Sequence, residues 1–152
     1  MKRIILFSLL FISAAACDKI GMSTIPYAPV YIPIDVQFTD LPLRNPLGYK
    51  NYITKRYASE QLGYGGVVVV HGFSSGEMDS YPLFAYDMAC PHEADRSSII
   101  LMGKNGIATC HQCSTIYDLS WGYGNIISGP SKYPLVRYRV IYKGGSKYEV
   151  VN

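Results

Sequence analysis

The 152-residue sequence contains few charged side chains and no regular repeat. Charged residues make up 16% of the chain, compared with about 25% in an average soluble domain. There is no Gly-X-Y period, no heptad pattern and no longer repeat, which excludes collagen, coiled-coil and solenoid folds. Hydrophobic residues account for 49%, enough for a packed core, so a disordered chain is also excluded. The length indicates one domain.

The usual motifs of a self-contained enzyme are missing as well. We find no Gly-rich phosphate loop, no Ser-His-Asp order and no triad of ligands for a mononuclear iron. Three acidic residues near position 90, namely Asp87, Glu93 and Asp95, are interpreted as solvated loop charges rather than as catalytic carboxylates. An electron carrier or a binding protein is therefore favoured over an enzyme.

The first 16 residues have the layout of a secretory signal peptide. Lys2 and Arg3 precede an apolar run of 13 residues, Ile4 to Ala16, which is too short to cross a hydrocarbon core of about 30 Å. Cys17 follows three alanines, and this junction resembles the lipobox of bacterial lipoproteins, although Ala14 stands where that motif most often has Leu. The alternative is an ordinary cleaved signal followed by a chance Cys.

The lipobox resemblance implies that Cys17 is acylated and becomes the first residue of the processed chain. Residues 17–29 would then form a lipidated tether, and the protein would be a membrane-anchored lipoprotein of the bacterial cell envelope, facing the periplasm or the surface. Loss of Lys2 and Arg3 lowers the formal charge from +3 to +1, so there is no electrostatic case for nucleic-acid binding. Three thiols remain free for other chemistry, an odd number that cannot pair completely within one chain.

From residue 30 to residue 152 the pattern is typical of an all-β domain. Short β-branched and aromatic segments alternate with Gly and Pro turns, and no long helix is evident. Pro33 indicates an interrupted edge segment, and residues 48–62 are compatible with a strand or one short helix. The clearest predicted strands are 67–70, 83–87, a hairpin of 99–102 with 107–109, 115–119, and a final hairpin of 135–142 with 147–151.

Two loops carry residues that can bind a metal. The first reads Cys90-Pro91-His92 and the second reads Cys110-His111-Gln112-Cys113, with 17 residues between His92 and Cys110. Each loop follows a predicted strand, and a hairpin brings its two ends together, so three sulfur ligands and one nitrogen ligand are expected to converge. A simple disulfide between Cys110 and Cys113 is the alternative in an oxidising compartment.

The spacing of these loops, C-x-H-x17-C-x-x-C, resembles that of Rieske iron–sulfur domains, whose loops read C-x-H and C-x-x-H. The likeness continues through Ser114 to Asp118 and through a segment from Gly129 to Leu135 that is similar to the proline loop covering the family's cluster. It implies Rieske-like antiparallel sheets with a small two-loop cluster-binding subdomain at about residues 87–134. It also implies a [2Fe–2S] cofactor, one-electron transfer, and a redox partner protein that the sequence does not identify.

Cys113 departs from the family pattern because it stands where the second His is expected. By position, Cys90 and Cys110 would bind one iron, and His92 and Cys113 would bind the other. An extra thiolate makes a cluster more negative, so its potential should lie below the range of about −150 to +300 mV for two-His clusters and toward roughly −400 mV for all-Cys clusters. His111 does not occupy a ligand position.

The resemblance also assigns supporting roles around the metal ligands. Thr115 and Tyr117 lie where the family has hydroxyls that bond to the cluster or to a ligand sulfur, and Pro130 belongs to the covering loop. A core position for Tyr117 is the alternative. Three Cys and one His are equally a common tetrahedral zinc set, so a structural or interaction module with zinc, or one that has lost its cluster, stays open.

Overall fold

The structure is a computed structural model that describes residues 24–73 and 82–152. These residues form two antiparallel sheets and one short 3-10 helix, which confirms the predicted all-β fold class. The predicted signal peptide, Cys17 and most of the predicted loop 72–77 lie outside the described residues. Within the described part of the chain, no helix is long and apolar enough to cross a membrane.

The larger sheet has seven strands, in the order β2-β4-β5-β10-β11-β1-β3, and the smaller has four, in the order β6-β7-β8-β9. The strands are β1 (Val30–Asp35), β2 (Tyr49–Tyr52), β3 (Gln61–Leu62), β4 (Val67–His71), β5 (Leu83–Asp87), β6 (Ile100–Met102), β7 (Ile107–Cys110), β8 (Ile116–Asp118), β9 (Asn125–Ser128), β10 (Arg137–Gly144) and β11 (Lys147–Val151).

The valine run of β4 is buried along its whole length because both faces of this strand are covered. Val67 and Val69 pack in a core inside the larger sheet, together with Ile32, Leu43 and Val150. Val68 and Val70 point the other way, into a second core shared with the smaller sheet. A run of consecutive buried valines thus joins the two cores.

Strand β10 connects the two halves of the larger sheet. Its first residues, Arg137 and Tyr138, pair with β5, and its later residues, from Arg139 onward, pair with β11. The predicted terminal hairpin is present, and its turn lies at the end of β10 opposite to β5. Since β5 leads into the first Cys loop, this turn and that loop lie at opposite ends of the larger sheet.

The structure differs from the sequence-based prediction at Pro33 and at β9, and for residues 48–62 it favours the strand alternative over the helix. Pro33 does not interrupt β1, because β3 pairs only with Val30 and Tyr31 and leaves that side of the strand open beyond them. Residues 48–62 contribute strands β2 and β3, whereas the 3-10 helix occupies Leu41–Arg44. Strand β9 was not predicted, since its short sequence is flanked by glycines on both sides and has little period-two alternation.

The segment just before β1 is bound to the domain instead of standing free of it. The Thr24 hydroxyl donates to the Pro91 carbonyl oxygen, and Ile25 is buried. The side-chain amide of Asn152 donates to the Ala28 carbonyl oxygen over 3.1 Å. The later part of the predicted tether, residues 24–29, therefore packs against the domain.

Candidate metal centre

The two Cys loops meet beside the open end of the β6–β7 hairpin. Cys90 follows an isolated bridge between Ala89 and Ile99, and its backbone N–H donates to the Ser98 carbonyl oxygen over 2.9 Å. Cys110 is the last residue of β7, and its N–H donates to the Thr115 carbonyl oxygen over 2.9 Å. The hairpin thus places both loops side by side, as its pairing predicted.

The three thiols of these loops form one compact group. The Sγ atoms of Cys90, Cys110 and Cys113 all lie within 4.8 Å of one another, close enough to hold a metal ion. The Cys90 and Cys113 sulfurs are 3.7 Å apart, and two thiolates bound at about 2.3 Å to one tetrahedral ion stand about 3.8 Å apart. All three are free cysteines, so they form no disulfide in this structure.

The thiols differ in burial, and the pKa values of two of them, Cys110 and Cys113, shift in opposite directions. Cys90 and Cys110 are buried, whereas Cys113 is partly exposed. Burial raises the pKa of the Cys110 thiol to about 12. For Cys113 burial acts in the same direction, but hydrogen bonds from the Thr115 side chain and backbone outweigh it and lower the pKa of that thiol. Cys113 therefore becomes an anionic ligand more readily than Cys110.

The structure does not bring His92 into this group. Its side chain is exposed, and its ring nitrogens are not among the ligand atoms that lie within 4.8 Å of one another. His111 is also exposed, and its Nδ1 lies 3.0 Å from the Ile99 carbonyl oxygen. The role of His92 as a ligand stays a prediction, and His111 has a local partner outside the thiol group.

Two buried hydroxyls contact the sulfurs at the positions that the sequence singled out. The Tyr117 hydroxyl lies 3.5 Å from Cys90 Sγ, and Thr115 Oγ1 lies 3.1 Å from Cys113 Sγ. Burial, and then the neighbouring Cys90, raise the pKa of Tyr117, so its hydroxyl keeps its proton and can donate to sulfur. Both side chains are fully buried, so these contacts are shielded from water.

The segment with Pro130 approaches the site through Thr115. The Ser131 N–H donates to Thr115 Oγ1 over 3.2 Å, and a Cβ on Gly129 would lie 2.5 Å from the Thr115 Cα. Pro130 itself is exposed. This loop therefore reaches Cys113 indirectly, through the hydroxyl that contacts its sulfur.

The interpretation of Asp87 as a solvated loop charge is wrong. Its carboxylate is fully buried and accepts hydrogen bonds from the N–H groups of Tyr64, Gly65 and Ala89 and from the Tyr138 hydroxyl, at 2.6–3.0 Å. Four donors offset the cost of burying this charge. They also fix the strand end that leads into Cys90. The sequence held one hint, because Asp87 directly continues an apolar strand.

Comparisons with protein-family models, with curated proteins and with solved structures gave no significant match. The site must therefore be interpreted from its own geometry. Three thiols in one compact group, with two hydroxyls on their sulfurs, could hold a metal ion, and the donor atoms alone do not specify which metal.

Proposed function

We propose that the protein is a metal–thiolate domain in which Cys90, Cys110 and Cys113 bind one tetrahedral ion, with zinc as the metal and His92 as the fourth ligand. The observation that carries this proposal is the mutual proximity of the three sulfurs, within 4.8 Å. Thiolate and imidazole ligands suit zinc, and a closed set of four protein ligands is typical of structural zinc sites. The ion would hold the two loops together.

The same geometry fits a two-iron cluster less well. Each iron of such a cluster takes two protein ligands. If Cys90 and Cys110 bind one iron, the third thiolate binds the second iron, and the cluster separates it from the other two sulfurs. In the Rieske-like assignment that third thiolate is Cys113, yet its sulfur is 3.7 Å from that of Cys90. This distance corresponds to two ligands of one ion.

Electron transfer through a [2Fe–2S] cluster is the second candidate function, and the hydroxyl contacts favour it. Hydrogen bonds from Tyr117 and Thr115 to ligand sulfurs would stabilise a reduced, more negative cluster. Cys90, His92, Cys110 and Cys113 would be its ligands, and the bound cluster would supply one-electron exchange with a redox partner protein. No nucleic-acid partner is proposed for either function.

We propose the same location for both functions. The lipobox-like junction before Cys17 supports a lipoprotein of the bacterial cell envelope, anchored in a membrane and facing the periplasm or the surface. Beyond the docked residues 24–29, only a short stretch of chain would then separate the domain from its anchor. The anchor and the metal are independent proposals, and each can fail without the other.

Metal analysis of the anaerobically purified protein tests the two functions against each other. One zinc per chain, no acid-labile sulfide and no visible absorption would support the zinc domain. Iron and sulfide in equal amounts, with visible charge-transfer bands, would overturn it and support the electron carrier. A Cys90→Ser variant is the control for specific binding, because it should lose whichever metal the wild type holds.

A further inference from the structure

We propose that the end of the domain formed by the two Cys loops, here called the metal end, faces the surface of the membrane that holds the anchor. This inference rests on the proposed lipid anchor at Cys17, and it does not depend on which metal is bound. The partner of this end is the layer of lipid headgroups. The observation behind it is the contact between the start of the described chain and the first Cys loop.

The first described residue lies at the metal site. Thr24 donates its hydroxyl to the carbonyl oxygen of Pro91, the residue directly after the ligand Cys90. The chain is then held along its path, because Ile25 is buried and the Gly63 N–H donates to the Pro29 carbonyl oxygen over 3.1 Å. Residues 24–29 are therefore fixed on the domain, with Thr24 beside the first Cys loop.

Covalent geometry limits the distance from Thr24 to the anchor. Six residues lie between Cys17 and Thr24. An extended chain advances at most about 3.6 Å at each of the seven steps, so the separation cannot exceed about 25 Å. The Pro91 carbonyl must consequently lie within about this distance of the lipidated residue at the membrane surface.

The opposite orientation would require an almost fully extended tether. The turn between β10 and β11 lies at the far end of the larger sheet, and the seven steps from Arg137 to Gly144 cover about 24 Å at 3.4 Å per step. If the metal end pointed away from the membrane, the tether would have to pass the full length of this sheet. That path would use nearly all of the limit of about 25 Å and would cost the tether most of its conformational freedom.

The exposed side chains of the metal end suit contact with headgroups and not insertion into hydrocarbon. His111, Gln112 and Lys132 are all exposed and polar. Polar and cationic side chains find partners among phosphate groups, whereas burial in hydrocarbon would leave them unsatisfied. We therefore expect the loops to rest on the surface.

The experiment uses tryptophan fluorescence of the full lipoprotein in phosphatidylcholine vesicles that carry a dansyl headgroup lipid. The chain has a single tryptophan, Trp121, so Trp121→Phe removes the native tryptophan fluorescence. Two variants are made in the Trp121→Phe protein: Lys132→Trp at the metal end and, as the matched control, Tyr142→Trp near the turn between β10 and β11. Both positions are exposed. Gln112→Trp serves as a second probe of the metal end.

Energy transfer to the dansyl lipid should be several-fold more efficient from positions 132 and 112 than from position 142. A flexible insert of about twenty Gly and Ser residues after Asp18 should reduce this difference, because a longer tether frees the orientation. Equal transfer from both ends with the native tether, or stronger transfer from position 142, would overturn the proposal.

The anchor and the metal are measured on the same samples. Mass spectrometry of the N-terminal peptide detects acylation of Cys17, and an unmodified Cys17 would overturn the anchor together with the orientation. Metal content is determined separately for each variant. A failure of the metal proposal therefore appears as missing metal with the transfer pattern unchanged, and a failure of the orientation appears as an altered pattern with metal present.

Discussion

The position of a single sulfur, that of Cys113, separates the two metal chemistries that the loops can support. A His at this position would contribute a neutral nitrogen, whereas Cys113 contributes a thiolate with a lowered pKa beside Thr115. Its Sγ lies 3.7 Å from that of Cys90, which suits two ligands of one ion. Three thiolates around one divalent ion leave one position for a neutral ligand, and His92 is the residue proposed for it.

Cobalt substitution tests His92 as the fourth ligand. Bound Co²⁺ reports its ligand set through visible absorption, so His92→Ala should shift the d–d bands and weaken metal binding by about 10-fold or more, since metal sites respond strongly to lost ligands. The matched control is His111→Ala, which removes an equally exposed imidazole that contacts the Ile99 carbonyl oxygen. Identical spectra and affinities for the two variants would rule out His92 as a ligand.

The 129–131 segment shows how an element far along the chain reaches the metal loops. Gly129 has a φ of +110° and lies against the Thr115 backbone so closely that any side chain would collide with it. Thr115 contacts the Cys113 sulfur. Displacing this segment should therefore disturb Cys113, a proposed metal ligand, through one intermediate residue.

Gly129→Ala should destabilise the domain by about 2–4 kcal/mol, because backbone strain and the collision with Thr115 add. It should also weaken metal binding. Gly144→Ala is the matched control, since Gly144 also has a positive φ, of +99°, but an added Cβ there meets nothing within 4 Å. Chemical denaturation and metal titration measure both effects. Equal losses in the two variants would mean that strain alone is responsible.

At the scale of the whole molecule, the structure contains a buried ionic group formed by residues outside the two Cys loops. Asp40 and Glu60 are fully buried, and the Arg56 guanidinium bridges them at 2.8 and 2.6 Å. Asp40 also accepts from Lys50 and from the Tyr52 hydroxyl, each over 2.8 Å. Burial alone would raise the pKa of Asp40, but these hydrogen bonds outweigh it and lower the pKa below its ordinary value.

Asp40→Asn should lower the free energy of unfolding at pH 7 by about 3 kcal/mol, as expected when a buried pair loses one partner. A carboxylate with a lowered native pKa stabilises the fold above its unfolded pKa of about 3.9, and this contribution disappears as the pH falls through the native value. The wild type and the variant should therefore converge in strong acid. Urea unfolding across this pH range measures the difference.

The control for Asp40 is an exposed ion pair. Lys143 and Glu149 lie 3.1 Å apart on the β10–β11 hairpin, with both side chains partly exposed. Glu149→Gln should change the stability by less than about 1 kcal/mol at any pH. A loss for Asp40→Asn that is equally small, or independent of pH, would contradict the role assigned to the buried group.

The two cores predict an uneven response to metal removal. The core of the larger sheet contains none of the three thiols, whereas the second core includes Cys90 and Cys110. Chelation should therefore increase amide hydrogen exchange mainly in β6–β9 and leave β1, β10 and β11 protected. Zinc at a hundredfold excess over its Kd should restore about 2.7 kcal/mol of protection. Uniform loss of protection would show that the domain unfolds as one unit without metal.

Several elements could be predicted from the sequence because local patterns specify them. The valine run predicted β4, and period-two alternation predicted the terminal hairpin; both are present in the structure. The hairpin between the Cys loops placed three thiols together, since its strands must pair. Strand β9 could not be predicted in this way, because four residues between glycines have no periodicity strong enough to distinguish a strand from a turn.

Charged residues show the limit of prediction from sequence most clearly. Asp87 and Asp95 look alike in sequence, yet Asp95 is exposed and bonds locally to Ser97, whereas Asp87 is buried beneath four donors. Those donors come from residues 64, 65, 89 and 138, so only the folded chain brings them together. Local sequence contains no signal for such a long-range arrangement.

The sequence by itself determined the all-β class, the two Cys loops and their joining hairpin, because these depend on local alternation and on spacing along the chain. Only the tertiary structure decided that the three sulfurs share one compact site, that His92 lies outside it, and that Thr24 docks beside Pro91. Distances between side chains of different loops depend on packing that no local pattern encodes. For the same reason, the proposed orientation of the metal end rests on the fold and not on the motif.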